Sequence, residues 1–224
     1  MIQTLRSRKK QPQMNADRHE TSNAEPLTTC RTSLNQCVFS PDRAYRYVLR
    51  CSCTDSASEN TPKPKSARCN PELYRADRSS RPRKRGALHK IAWIGLNPST
   101  ADEVTLDQTL ASVCRYSRKW GFSEVVMLNL FAFRATDPRN LRRAINPIGP
   151  DNDEHLVAEV RHADRIIACW GDHGRFLERD RQVSDLLGVS FECLFRNRSG
   201  APHHPLYLKS RITPKPFRLD QIRN

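Results

Sequence analysis

Four short apolar runs, each ending in a turn residue or a loop, constrain this chain more than any other feature. The first is Lys90-Ile91-Ala92-Trp93-Ile94-Gly95-Leu96 and the second runs from Glu124 to Leu130 through Val125-Val126-Met127-Leu128. The third is Arg165-Ile166-Ile167-Ala168-Cys169-Trp170-Gly171, and the fourth spans Val189 to Phe195. Runs this short and this continuous suit strands buried on both faces. Helical spacing fills the gaps between them. Leu106, Leu110, Val113 and Tyr116 share a face over Leu106 to Trp120, and Gly121 follows as a stop. Asp137-Pro138 opens a helix carrying Leu141 and Ala144, and Asp151 to His162 forms another with Leu156, Val157 and Val160. Gly174 to Leu187 reads as one further helix. Strands and helices in alternation predict an α/β class: a three-layer sandwich around a mostly parallel central sheet.

The rest of the chain differs in texture. Residues 1–35 are polar and aperiodic and read as a disordered basic extension. Residues 36–51 predict a short β-hairpin of the core domain, with Cys37-Val38-Phe39-Ser40, a turn at Pro41-Asp42, and Tyr45 to Arg50. Residues 52–86 are rich in Ser, Pro, Lys and Arg and read as a flexible basic insertion. The core domain is expected over 87–217, and 218–224 form a tail. The net charge of +14 favours polyanionic partners, although much of it sits in runs such as Arg6 to Lys10 and Arg81 to Arg85.

The eight cysteines include no C-x-x-C pair. Cys51 and Cys53 have a spacing that suits neither a zinc knuckle nor a redox pair, and Cys114 and Cys169 read as small buried hydrophobes. No metal set and no cofactor is therefore expected. The first residues are charged and no apolar run approaches a membrane span, so a cytoplasmic monomer without membrane contact is the expectation.

In open α/β sheets, ligands bind beyond the carboxyl ends of the strands. Four segments fall there and should converge on one crevice. In Gly95-Leu96-Asn97-Pro98-Ser99-Thr100, Asn97 precedes proline and is held extended, so its amide can orient a water or read a base edge. Ser99 or Thr100 can equally be a helix cap. Asn129 begins a loop with Phe131, Phe133 and Arg134, a set able to stack on a planar ring, read its edge and meet a phosphate, or else to serve as core. Trp170-Gly171-Asp172-His173-Gly174 permits close backbone approach or is an ordinary turn. His203 and His204, between Pro202 and Pro205, offer a neutral donor or a proton shuttle, or are surface histidines. Asp102, Glu103 and Asp107 can bind Mg²⁺, but the start of a helix attracts acids anyway. No Gly-Lys-Ser/Thr phosphate loop, G-x-G-x-x-G fingerprint or G-x-S-x-G elbow occurs.

Longer words carry a resemblance. Leu96-Asn97-Pro98-Ser99-Thr100-Ala101-Asp102, Asp107-Gln108-Thr109, Asn129-Leu130-Phe131-Ala132-Phe133-Arg134-Ala135-Thr136-Asp137-Pro138, Gly149-Pro150-Asp151-Asn152-Asp153 and His204-Pro205-Leu206-Tyr207-Leu208 resemble the bacterial and phage family DUF1643. That family name implies no activity. More distantly, Gly95-Leu96-Asn97-Pro98, Met127-Leu128-Asn129, Cys169-Trp170-Gly171 and His204-Pro205 resemble, in order, motifs of the uracil-DNA glycosylase superfamily. This second resemblance implies a uracil-DNA glycosylase-like fold and a set of roles. Asn97 and His204 would be catalytic, the one holding a water and the other stabilising the departing base. Asn129 would read the base, with Phe131 or Phe133 against its ring. Ser99, Arg134 and His203 would meet phosphate, and DNA or a nucleotide would be the partner. Two other readings stay open: a hydrolase or transferase acting on a small nucleotide-like metabolite, and a non-catalytic module binding nucleic acid or protein.

Overall fold

The structure is a computed structural model that describes residues 36–53, 89–99, 107–206, 208 and 212–221. The expected extension at 1–35, most of the expected insertion and the Asp102-Glu103 pair lie outside the described residues. Among the described residues there are seven strands: β1 (Gln36–Phe39), β2 (Arg46–Ser52), β3 (Lys90–Gly95), β4 (Glu124–Asn129), β5 (Arg165–Ala168), β6 (Phe191–Cys193) and β7 (Lys215–Phe217). The helices are α1 (Gln108–Lys119), α2 (Pro138–Arg143), α3 (Asn152–Arg161) and α4 (Arg179–Leu187).

The strands form one sheet in the order β1-β2-β4-β3-β5-β6-β7. The four central strands, β4-β3-β5-β6, are parallel. These are the four apolar runs. The β1–β2 hairpin joins antiparallel to β4, and β7 joins antiparallel to β6, so the sheet is mixed at both margins. Strand β7 was not anticipated: Lys215-Pro216-Phe217 is too short to show a pattern, and its proline is tolerated because the strand is an edge.

Side chains alternate between two cores. On one face, Ala92, Ile94, Val126, Leu128, Ile166 and Ala168 meet Leu141 of α2, Leu156 and Val160 of α3, and Val183 of α4. On the other, Ile91, Trp93, Val125, Met127, Ile167 and Cys169 meet Leu110, Val113, Cys114 and Tyr116 of α1. The period of two is the strand repeat, and it places α1 alone opposite the other three helices. Helix α1 is held by aromatic stacking of Trp93, Tyr116 and Trp120, with Trp93–Trp120 centroids 5.7 Å apart, and by Trp93 Nε1 donating to Ser117 Oγ at 3.0 Å. Among the described residues no helix is long and apolar enough to cross a membrane.

The expected helix from Gly174 to Leu187 is interrupted. A 3-10 segment occupies Asp172–Glu178, and Phe176 is extended while Leu177 and Glu178 have positive φ. The break turns Phe176 inward onto Phe131, with centroids 5.6 Å apart. Gly174 is obligatory there, since a Cβ would lie 2.1 Å from Trp170 Cδ1.

Glu159 on α3 ties that helix to two strands, accepting from Arg50 of β2 and from Lys90 Nζ of β3 at 2.7 Å. Burial works to raise its carboxyl, but the bonds from Arg50 and Lys90 outweigh it and hold it below the ordinary 4.5. A carboxyl lowered by folding contributes stability that is complete above its unfolded value and lost as pH falls through the folded one. Glu159→Gln is expected to cost about 2 kcal/mol in urea denaturation at pH 7, less than a fully buried pair because Arg50 is partly exposed. The difference between variant and wild type should shrink as the pH drops below 4.5; a difference constant with pH would contradict this account.

Candidate functional site

Strand β3 connects to its neighbour on one side, β4, whereas β5 connects to β6 on the other. The chain therefore leaves the ends of β3 and β5 in opposite directions, which opens a crevice between them. A cleft of about 420 Å³ lies at this point. Its floor is made by Gly95, Met127 and Asn129 at the strand ends, with Arg46 and Leu49 of β2 and Leu110 of α1. Its rim carries Asn97, Ser99 and Asp107 on one side, and Trp170, Asp172, His173, Asn197, His203 and His204 on the other.

The β3 loop is held by short bonds. Leu130 N–H donates to the Gly95 carbonyl and Phe131 N–H to that of Leu96, both at 2.9 Å, so the loops after β3 and β4 travel together. Asn97 Nδ2 donates to the carbonyls of Ala135 at 2.7 Å and Pro98 at 3.1 Å. The donor half of this amide is spent on the loop, which leaves its Oδ1 as the group able to accept from a water. Asp107 caps α1 by accepting from Leu110 N–H at 2.7 Å, and its other oxygen accepts from Ser99 Oγ at 2.7 Å. Ser99 thus fastens the loop to the helix start, with its hydroxyl proton given to Asp107.

Asn129 is 2% exposed, and its Nδ2 is buried with no hydrogen-bond partner. An orphaned buried amide donor in a native fold calls for an explanation. The space above it exists because residue 95 is glycine: a Cβ there would lie 2.9 Å from Asn129 Oδ1 and 2.7 Å from Met127 Cε.

The last loop folds back as a tight hairpin. Asn197 N–H bonds to the Ala201 carbonyl at 2.8 Å, His203 N–H to that of Phe195 at 2.8 Å, and Gly171 N–H to that of Pro202 at 2.9 Å. Asp172 accepts from Asn197 Nδ2 at 2.8 Å and from Ser199 Oγ, which braces this hairpin against the β5 loop. His203 Nδ1 lies 2.6 Å from the His204 carbonyl. His204 Nδ1 accepts from Leu206 N–H at 3.4 Å, so the neutral ring carries its proton on Nε2. Part of the ring meets solvent, yet desolvation by the loop is the largest influence on it and lowers its pKa; His203 adds to this and Asp107 opposes it.

The cleft thus brings together Asn97, Asn129, His203 and His204, and Ser99 sits at its edge. It does not include three expected contacts. Phe131 is fully buried beneath Phe176, and Phe133 packs on Tyr45, with centroids 6.0 Å apart. Arg134 turns to the hairpin, with its guanidinium over the Phe39 ring and a bond to the Arg43 carbonyl at 3.3 Å. The aromatic in the lining is instead Trp170, fixed edge-on by Phe191 and Phe217 at 5.8 Å. Asp107 and Arg46 are also in the lining. The Asp107-Gln108-Thr109 word marks the first, whereas nothing in the strand pattern singles out Arg46.

The sequence profile of a family described as "Protein of unknown function (DUF1643)" matches residues 77–206. The chain belongs to the DUF1643 family. All the cleft residues except Arg46 and Leu49 fall within that stretch. No curated protein and no solved structure matches the chain.

One metal-competent cluster occurs among the described residues of this DUF1643 chain, and it is away from the cleft: the thiols of Cys51, Cys53 and Cys114. Hydrogen bonds with the Cys114 and Cys51 thiols pull the Cys53 thiol down, against burial, whereas those with Cys51 and Cys53 push Cys114 up.

Two outcomes follow for the cleft. Gly95→Ala should crowd Asn129 and cost about 1–3 kcal/mol in chemical denaturation, with the Asn129 amide resonances displaced; unmoved resonances would contradict the close approach. In an NMR titration, His204 should have its midpoint below 6.5. A midpoint above that value would show the ring to be paired with Asp107 and charged.

Proposed function

We propose that the cleft takes a nucleobase and that the protein hydrolyses the N-glycosidic bond of the nucleotide bearing it. The observation that carries this reading is the buried, unpartnered Nδ2 of Asn129 at the floor of the cleft. A side-chain amide presents an NH2 donor group beside a carbonyl acceptor, a pair that matches the edge of a base. Asn97 Oδ1 would accept from the attacking water, which adds at the sugar carbon as the base leaves. His204 Nε2–H would donate to the departing base, and the proton of the water would pass to solvent. A neutral donor aimed at developing charge is the form of stabilisation that a lowered histidine pKa favours. Trp170 would form the wall beside the ring. For a base within DNA, the nucleotide must first be flipped out of the stack.

A second reading, a free nucleotide as substrate, is favoured by one feature of the lining. Among the described lining residues Arg46 is the one Lys or Arg, too little charge to follow a phosphate backbone.

The experiment is base release from DNA carrying deaminated or alkylated bases, and from nucleoside monophosphates, read by chromatography with the full chain. Asn97→Ala and His204→Ala are each expected to lower the rate about 10²-fold or more, and Asn129→Ala to weaken substrate binding. Binding without release would favour the non-catalytic module. Absence of both release and binding, or variants indistinguishable from wild type, would sink the proposal.

A further inference from the structure

The three-cysteine cluster lies in the α1-side core, at the end of the sheet away from the cleft. Strand β2 runs antiparallel to β4, with Cys51 opposite Val125 and Ser52 opposite Glu124, near the start of the parallel strands. Cys51 and Cys53 are two residues apart, so the pleat puts both side chains on the face that α1 covers. Cys114 projects from the middle of α1 onto the same place. Each cysteine is about 3% exposed, all three sulfurs lie within 4.8 Å of one another, and Cys51 Sγ and Cys114 Sγ are 3.1 Å apart.

A buried cysteine alone is a small hydrophobe. Three thiols that converge from two elements differ from that, because packing alone would be served as well by Ala or Val. The register of β2 and the rotation of α1 are set by other contacts, namely the β2–β4 ladder and the Trp93–Ser117 bond. The frame therefore holds the sulfurs together rather than the reverse. A metal–sulfur bond of about 2.3 Å puts two tetrahedral ligands about 3.8 Å apart; Cys51 Sγ and Cys114 Sγ are already closer than that at 3.1 Å, and all three sulfurs lie within 4.8 Å of one another.

We propose that Cys51, Cys53 and Cys114 bind a thiophilic cation, Zn²⁺ or Cu⁺, as a trithiolate. Sulfur donors select these soft ions over Mg²⁺ or Ca²⁺, which require oxygen. Cu⁺ is satisfied by three sulfurs, whereas Zn²⁺ would complete a tetrahedron with a further ligand; Cys37 of β1 packs against the same core. The site would join the β1–β2 hairpin to α1, two segments separated in sequence by residues 54–107. Because the thiols must deprotonate, uptake releases protons and affinity should rise with pH.

The test uses the full chain, purified reduced and without chelators. Zn²⁺ is competed against a chromophoric chelator, and Cu⁺ against bicinchoninate. One equivalent of one of these ions per chain is expected, with affinity lowered more than about tenfold by Cys51→Ser, Cys53→Ser or Cys114→Ser, since even residues that merely orient a ligand cost that much. Cys193→Ser and the double variant Cys30→Ser/Cys69→Ser should bind as wild type does. If the serine variants do not fold, X-ray absorption at the metal edge of loaded wild type decides, and a shell of sulfur scatterers is expected. A nitrogen or oxygen shell, loss of binding with the Cys30/Cys69 variant, or no uptake of either ion would overturn the proposal.

Discussion

Two backbone carbonyls at the end of β4 are satisfied by side chains from distant helices, and the cleft rests on that arrangement. The Asn129 carbonyl accepts from Asn152 Nδ2 at 3.2 Å; the Leu130 carbonyl accepts from the same amide at 3.0 Å and from Arg179 Nε at 2.9 Å. Arg179 is 2% exposed and is also paired with Asp153. Burying a guanidinium costs several kcal/mol unless it is bonded on several sides. Here Leu130, Asp153 and Gln182 supply acceptors to the guanidinium, and the chain leaves the parallel ladder at Asn129 with both of those carbonyls satisfied. Once those carbonyls are committed to α3 and α4, the Asn129 side chain is set at the floor of the cleft while Leu130 and Phe131 turn into the opposite core.

The strands were legible because burial on both faces demands continuous apolar runs, and the loops became legible as soon as the strands were. Asn97, Asn129 and His204 line one cleft for a topological reason: each ends or follows a parallel strand and so falls on one edge of the sheet. Phe131, Phe133 and Arg134 follow the same strand end but do not share its fate. Past Asn129 the chain keeps descending into the core, where Leu130, Phe131 and Ala132 are all fully buried. Loop composition alone cannot distinguish an aromatic that lines a cleft from one that lies beneath it, since both avoid water.

Other features were hidden for different reasons. Arg179 sits in a helix rich in charge, and nothing local marks it as the buried one. The break before α4 reflects tertiary contacts, Phe176 on Phe131 and Gly174 against Trp170, that override a helix-compatible stretch. The cysteine cluster was invisible to spacing because Cys114 arrives from another element; Cys51 and Cys53 are separated by a single residue, and that arrangement has meaning only once the strand pleat is known.

Helix α1 connects the two ends of the molecule. Its first turn is pinned at the cleft by Asp107, which holds both Leu110 N–H and Ser99 Oγ. Its middle contributes Cys114, and its last turns carry Ser117 and Trp120 onto Trp93. A slide of α1 along its axis would break the Ser99–Asp107 bond, the Trp93–Ser117 bond and the sulfur convergence together, because one rigid element holds all three. The rim at Ser99 is therefore tied to α1, whereas Asn97 is held by the loop after β4 through the Ala135 carbonyl.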